Sequence, residues 1–261
     1  MIKSSILAIA ALTISLTGYS QVEGETSSPE KWHITSFGSE IGILRDSYNK
    51  MNLESMYDFT ANPALLDRNL DGYNETLYRE STGVKIGANV TLTSGTMSGK
   101  WSHEVRLGAF YSNREPLVSY NRSFNEEEVY KTIIYCNVVN EIALDGAYIL
   151  RRKSTRRPWI SVYGGLGANL GATFNNQMVI MEQASMIGEN GGFENSNEYY
   201  DGKESIMARV YIPFGLQISI FNRVLLGMES NLGVGLQSVI NGKTYLTRAN
   251  SGFVLKMGYQ L

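Results

Sequence analysis

The chain has a single cysteine, Cys136, and only five prolines in 261 residues. One cysteine excludes a disulfide framework, and its place far from the N-terminal region excludes a lipid-modified cysteine at a processed terminus. On a strand it serves as a small apolar filler. Beyond the first twenty residues no run of eighteen apolar residues occurs, so no helix of the mature chain is expected to cross a bilayer. A charge surplus is missing too: the formal net charge of −2 includes Lys3 and points to no polyanionic partner, which argues against nucleic acid.

The first stretch, MIKSSILAIAALTISLTGYS, carries one lysine, an apolar run from Ile6 to Leu16 and small residues at Gly18 and Ser20. That pattern is a secretory signal peptide over residues 1–20, expected to be removed. Residues 21–31 then form a short periplasmic segment and 32–261 one domain, since nothing like a linker interrupts them. Glycine and tyrosine are abundant, with 26 and 16 residues, which suits strands better than helices.

Period-two alternation decides the fold class. In TGVKIGANVTLTS, Val84, Ile86, Ala88, Val90 and Leu92 share one face, with Lys85, Asn89 and Thr91 on the other. WSHEVRLGAFY, WISVYGGLGANLGA, SIMARVYIPFGLQISIF, VLLGMESNLGVGLQ and GFVLKMGYQL repeat it. Two further strands, from Trp32 to Leu44 and within Lys131 to Leu150, are less regular. Eight segments of roughly ten residues match the length of a tilted strand crossing a bilayer. Long and short connections alternate between them, as in a barrel with long extracellular loops and short periplasmic turns. Trp32, Trp101 and Trp159 open strands that leave the periplasm, where amphipathic rings belong. Strict parity turns Trp32 and Trp159 inward, so a bulge or strand-end irregularity is required there.

These features resemble the small eight-stranded outer-membrane barrels of the OmpA and OmpX type, down to an alternating C-terminal strand with Tyr259 third from the end. The final Leu261 departs from the aromatic residue that commonly ends such chains. The expectation is an all-β, closed, antiparallel up-and-down transmembrane barrel in the outer membrane of a Gram-negative-type bacterium. Outer-membrane lipid and the barrel assembly machinery are its implied partners. A monomer suffices to close the sheet.

Inward parity collects Glu40, Lys85, Glu104, Arg106, Glu141, Asp145, Arg209, Glu229 and Lys256, five acids and four bases. Side chains fill an eight-stranded barrel, and buried charges persist when paired, so a charge-compensated polar core is expected. A narrow gated pore is the first alternative. A lipid-modifying enzyme or protease is the second, but no catalytic constellation stands out: His33 and His103 fall near periplasmic strand starts with outward parity. GGLGANLG, from Gly164 to Gly171, has no following helix and reads as close packing or strand curvature, not as a phosphate loop. RRKSTRRP, from Arg151 to Pro158, reads as a solvated periplasmic turn, with lipid headgroup contact as its alternative.

Loops carry function on such scaffolds. The first and third outer loops, near residues 45–81 and 173–205, are the candidates for a structural or surface-interaction role, with a protein or glycan partner. In the first, DRNLDGYNE places Asp67, Asn69, Asp71 and Glu75 at calcium-loop spacings around Gly72. Tyr78 occupies the position of the usual bidentate glutamate, so an EF-hand is not expected, and a weak extracellular calcium site competes with a plain Asp-Gly turn. No other cofactor is implied.

Overall fold

In the computed structural model the described residues are 32–49, 51–76, 80–94, 101–124, 129–186, 192–221 and 223–261. Residues 1–31, where a signal peptide and a short periplasmic segment are expected, lie outside them. The strands are β1 (Trp32–Tyr48), β2 (Asn74–Thr76), β3 (Glu80–Ser94), β4 (Trp101–Arg114), β5 (Leu117–Phe124), β6 (Val129–Lys153), β7 (Ile160–Met186), β8 (Phe193–Asp201), β9 (Ser205–Ile220), β10 (Val224–Val239) and β11 (Thr244–Gln260). One short helix, α1 (Leu53–Phe59), and a 3₁₀ turn (Pro63–Leu66) follow β1.

The antiparallel pairings run β6-β4-β3-β1-β11-β10-β9-β7, and β7 returns to pair with β6. Eight strands therefore close on themselves and leave no open edge in the ring. These eight correspond one to one with the eight read from alternation. The remaining three, β2, β5 and β8, flank the outer halves of β6 and β7 and extend the sheet beyond the ring.

Outside the ring the apolar face is bare. Phe37, Ile41, Ile86, Leu107, Ile142, Leu144, Leu166, Val210, Met228 and Leu255 are all exposed, Leu144 to 69%. A continuous apolar belt of this kind is stable only against hydrocarbon.

Several strands run further than alternation indicates, because bulges break the parity on which that reading depends. Between Val138 and Asn140 of β6, the register against β7 shifts by one residue, at an Asn175 with φ of 47°. Below it Thr173 faces in; above it Met178 and Ile180 do, so the alternation ends early and β7 continues to Met186. A second irregularity, where Ser230 and Leu232 of β10 meet Phe253 and Asn250, divides β11. That strand begins at Thr244, well before the GFVLKMGYQL pattern. A third, between Ile34 and Ser36, turns Trp32 and Ile34 outward, and both are exposed. Trp159 lies in the turn before β7, where parity does not bind it.

Candidate functional site

The inside of the ring holds three tiers of charge. Nearest the short turns, Arg151 donates to both oxygens of Glu104, at 2.6 and 2.8 Å, and Ser102 adds a hydroxyl at 3.2 Å. Arg151 was expected in the solvated turn. It belongs to β6 instead, and its inward parity brings it onto Glu104.

In the middle tier Glu40 receives Lys85 at 2.5 Å and Lys256 at 3.1 Å. Lys256 also reaches Glu229 at 2.9 Å, and Glu229 takes a two-pronged contact from Arg106 and the Tyr163 hydroxyl at 3.1 Å. Lys85 lies 4.3 Å from the centre of the Phe110 ring.

The outer tier is built on Glu141. Arg209 binds it through two nitrogens, at 2.7 and 3.0 Å, while Arg114 donates at 2.7 Å and Ser112 at 3.1 Å. Arg114 and Arg209 both contact Asp46 as well. Asp145 accepts from the Tyr211 hydroxyl at 2.7 Å.

All nine charged residues read as inward are placed on the interior wall. Alternation missed Asp46 and Arg114 because both lie just beyond the strand ends assigned from it, although each keeps the parity of its strand. With these two and Arg151 the described interior carries six acids and six bases. The balance matters because an unpaired charge in so narrow a space would retain the full cost of desolvation. The cavities left over are small, about 40 Å³ beside Arg106 and Arg151 and about 30 Å³ beside Asp46 and Arg209.

Glycines make room for this filling at two places. Gly167 pairs with Tyr211 and Gly215 with Tyr163 across β7 and β9. A Cβ on Gly167 would stand 2.4 Å from the Tyr211 ring, and one on Gly215 would stand 2.6 Å from the Tyr163 ring. The missing side chains let both rings lie along the wall with their hydroxyls on Asp145 and Glu229. Gly167 of GGLGANLG thus serves packing.

Above the outer tier the inward faces turn from charged to apolar. Tyr48, Tyr135, Met178, Ile180 and Val239 from the strands enclose Met56 and Phe59 of α1 and Leu66 of the 3₁₀ turn. Asn52 caps α1 in a reciprocal box with Ser55, satisfying the helix start that hangs over the barrel. Tyr48 donates to Gln237 at 2.7 Å, the Tyr135 hydroxyl to the Leu66 carbonyl at 3.1 Å, and Phe59 stacks on Tyr245 at 5.0 Å. Tyr245 bonds Asp58 at 2.5 Å and Lys243 bonds Glu54 at 3.0 Å, clasping the helix to the β10–β11 hairpin. The first outer loop is therefore a folded cap with a core of its own.

Arg68 ties that cap to the extended sheet. It meets Glu182 of β7 at 3.0 Å and Glu198 of β8 at 2.5 Å. Tyr200 also donates to Glu198, and these two neighbours hold the Glu198 carboxyl below its usual range. Much of the third loop, expected as a surface loop, is strand: β8 pairs with β7 from Phe193 to Asp201, with Tyr199 exposed and Tyr200 half-buried.

The stretch DRNLDGYNE runs from the end of the 3₁₀ turn into β2. Asp67 accepts from the Tyr57 hydroxyl at 3.0 Å, Asn69 accepts from the Asp71 amide at 2.9 Å, and Glu75 lies on β2 opposite Tyr120. Gly72 takes φ of 76° and completes a tight turn, whose Asp71 carbonyl receives Arg122 at 2.8 Å. Among the described residues no three acids, histidines or cysteines come together as a metal site.

His103 is exposed on the outer wall, 2.5 Å from the Tyr148 hydroxyl. His33, expected outward, is exposed at the strand start but stands between the outward Trp32 and Ile34 and opposite the buried Thr93, because the bulge after Ile34 reverses its parity.

The closed ring, apolar outer wall and charge-balanced interior define an eight-stranded transmembrane β-barrel. No protein-family model matches the chain, and no curated protein matches it. Among solved structures it is similar to the outer membrane protein OprG from Pseudomonas aeruginosa, at 11% identity and a TM-score of 0.32, over 87% of this chain and 96% of that one. It is also similar to Ail, the attachment invasion locus protein of Yersinia pestis, solved with the heparin analogue sucrose octasulfate. That match has 12% identity and a TM-score of 0.26, over 87% of this chain and 99% of the other. At such scores these likenesses add nothing to the closed ring of strand pairs, which stands by itself.

Proposed function

We propose that this protein is a non-conducting outer-membrane scaffold, delivered by a cleaved signal peptide, that holds a folded platform at the cell surface for contact with a protein or glycan. The observation that supports this reading is the apolar cap seated on a lumen whose six acids and six bases are balanced. A conducting path would have to cross both, and each is closed by contacts that cost free energy to break. The platform itself is the outer sheet, with β2, β5 and β8 added to β6 and β7, tied down by Arg68.

Two measurements test it together. With Tyr199→Cys, a membrane-impermeant maleimide should label intact cells, since Tyr199 is 63% exposed while the native Cys136 is buried. Purified protein in planar bilayers should give no sustained current. Labelling only after the outer membrane is broken would overturn the surface platform, and steady ion-selective steps would overturn the closed lumen.

A further inference from the structure

The short-turn end of the barrel concentrates positive charge. Arg152, Lys153, Arg156 and Arg157 are exposed in and beside the β6–β7 turn, and Arg223 is exposed in the neighbouring β9–β10 turn. Among the described residues none of the five has a carboxylate partner. The chain has no acid between Asp145 and Glu182, nor between Glu204 and Glu229, so neither turn can neutralise itself.

Each turn is tied to a neighbouring strand. The Ser219 amide donates to the Trp159 carbonyl at 2.8 Å, and the Gln260 amide to the Arg223 carbonyl at 2.7 Å. The turn at residues 154–160 is itself ordered: the Ser154 amide donates to Ile160 at 2.9 Å and the Ile160 amide to Arg157 at 2.9 Å. The cations are thus held on a fixed rim that runs along β4, β6, β7, β9 and β10, consecutive strands of the ring.

Large aromatic residues stand among them. Trp101 and Trp159 are half exposed at the end of the apolar belt, and Phe221, 93% exposed with φ of 51°, projects from the β9–β10 turn. The Arg152 guanidinium lies 5.4 Å from the centre of the Trp101 ring. Rings of this kind settle at the level where acyl chains meet headgroups, so a guanidinium stacked on one is carried to phosphate depth. A rim continuous with the lipid-facing belt, rich in bidentate donors and with no acidic side chain paired to its five cations among the described residues, has the chemistry of a phosphate-diester receptor.

We propose that this rim binds the phosphate groups of anionic phospholipids in the leaflet facing the short turns, and so recruits such lipids around one side of the barrel. The aromatic residues set the depth and the five cations supply the selectivity for negative headgroups.

Native mass spectrometry of the intact barrel, in detergent with equal amounts of phosphatidylglycerol and phosphatidylcholine, tests this. The wild type should retain phosphatidylglycerol over phosphatidylcholine by about tenfold at low salt, weakening as salt is raised. Replacing all five cations, R152Q/K153Q/R156Q/R157Q/R223Q, should bring the ratio to within about twofold of unity. The pair R156E/R157E, confined to an exposed turn, should lower it in the same direction should the larger variant fail to fold. Heat-modified gel mobility checks that each variant is a closed barrel. An equal ratio in the wild type, or a preference unchanged in a folded variant, would overturn the proposal. So would full displacement of the lipid by millimolar glycerol phosphate, which would mark a site for free anions.

Discussion

Arg106 reaches across the barrel to lay its two terminal nitrogens on the two oxygens of Glu229, at 2.7 and 3.0 Å. The strands that carry them, β4 and β10, stand on opposite walls of the ring. The two partners are not equivalent. Glu229 is the only carboxylate that Arg106 contacts among the described residues, whereas Glu229 also has Lys256 at 2.9 Å. Glu229→Leu should therefore strand a buried guanidinium and cost about 3–5 kcal/mol, while Arg106→Met should cost clearly less. Urea unfolding of the two variants in lipid vesicles measures the asymmetry; equal losses would mean that Lys256 does not carry Glu229.

Tyr211 lies where a side chain on Gly167 would be. Gly167→Val should displace the ring, strain the wall and cost about 1–3 kcal/mol, with loss of the hydroxyl contact to Asp145. Gly192, whose Cβ would meet nothing within 4 Å, is the control, and Gly192→Val should leave the unfolding midpoint unchanged.

The tie between Arg68 and Glu198 should depend on pH in one direction. Glu198 is held below its usual range by the Tyr200 hydroxyl and by Arg68 in the folded protein. Such a depressed carboxylate contributes stability above its unfolded value, near about 4.3, and loses it as pH falls through the lower folded value. Amides of β8 should accordingly exchange faster in strong acid than at pH 6, relative to those of the membrane ring. In Arg68→Ala this acid-dependent excess should shrink. An excess unchanged in that variant would show that another group orders β8.

Cys136 is 4% exposed, and burial pushes its thiol up to about 12. At pH 8 almost no thiolate is available. Native protein should resist a maleimide that reacts quickly once the protein is unfolded in denaturant. Rapid labelling of the folded protein would mean that the outer sheet opens.

Much of the barrel was legible because a strand exposes its two faces alternately. Val84, Ile86 and Ala88 facing out and Lys85 facing in require nothing beyond the local chain. The pattern failed where a single extra residue enters, at Asn175 and in the middle of β11, since one added residue exchanges the faces for the rest of the strand. Asp46 and Arg114 were lost for a simpler reason: their strands continue past the last clear apolar residue. The capping core was invisible because Met56, Phe59 and Leu66 come from a short helix and a turn, and none repeats over a length that periodicity can detect.

By itself, then, the sequence determined the number of strands in the closed ring, the outward apolar face and the charged inward one. These follow from side-chain alternation and from the length needed to cross hydrocarbon. The tertiary structure alone decided which charges meet. Arg106 and Glu229 are brought together by the closure and stagger of eight strands, a relation between residues 123 apart that no local pattern encodes. It decided likewise that the first outer loop folds back as a cap, because its apolar side chains gain from burial only once Tyr135, Met178 and Val239 form the wall that receives them.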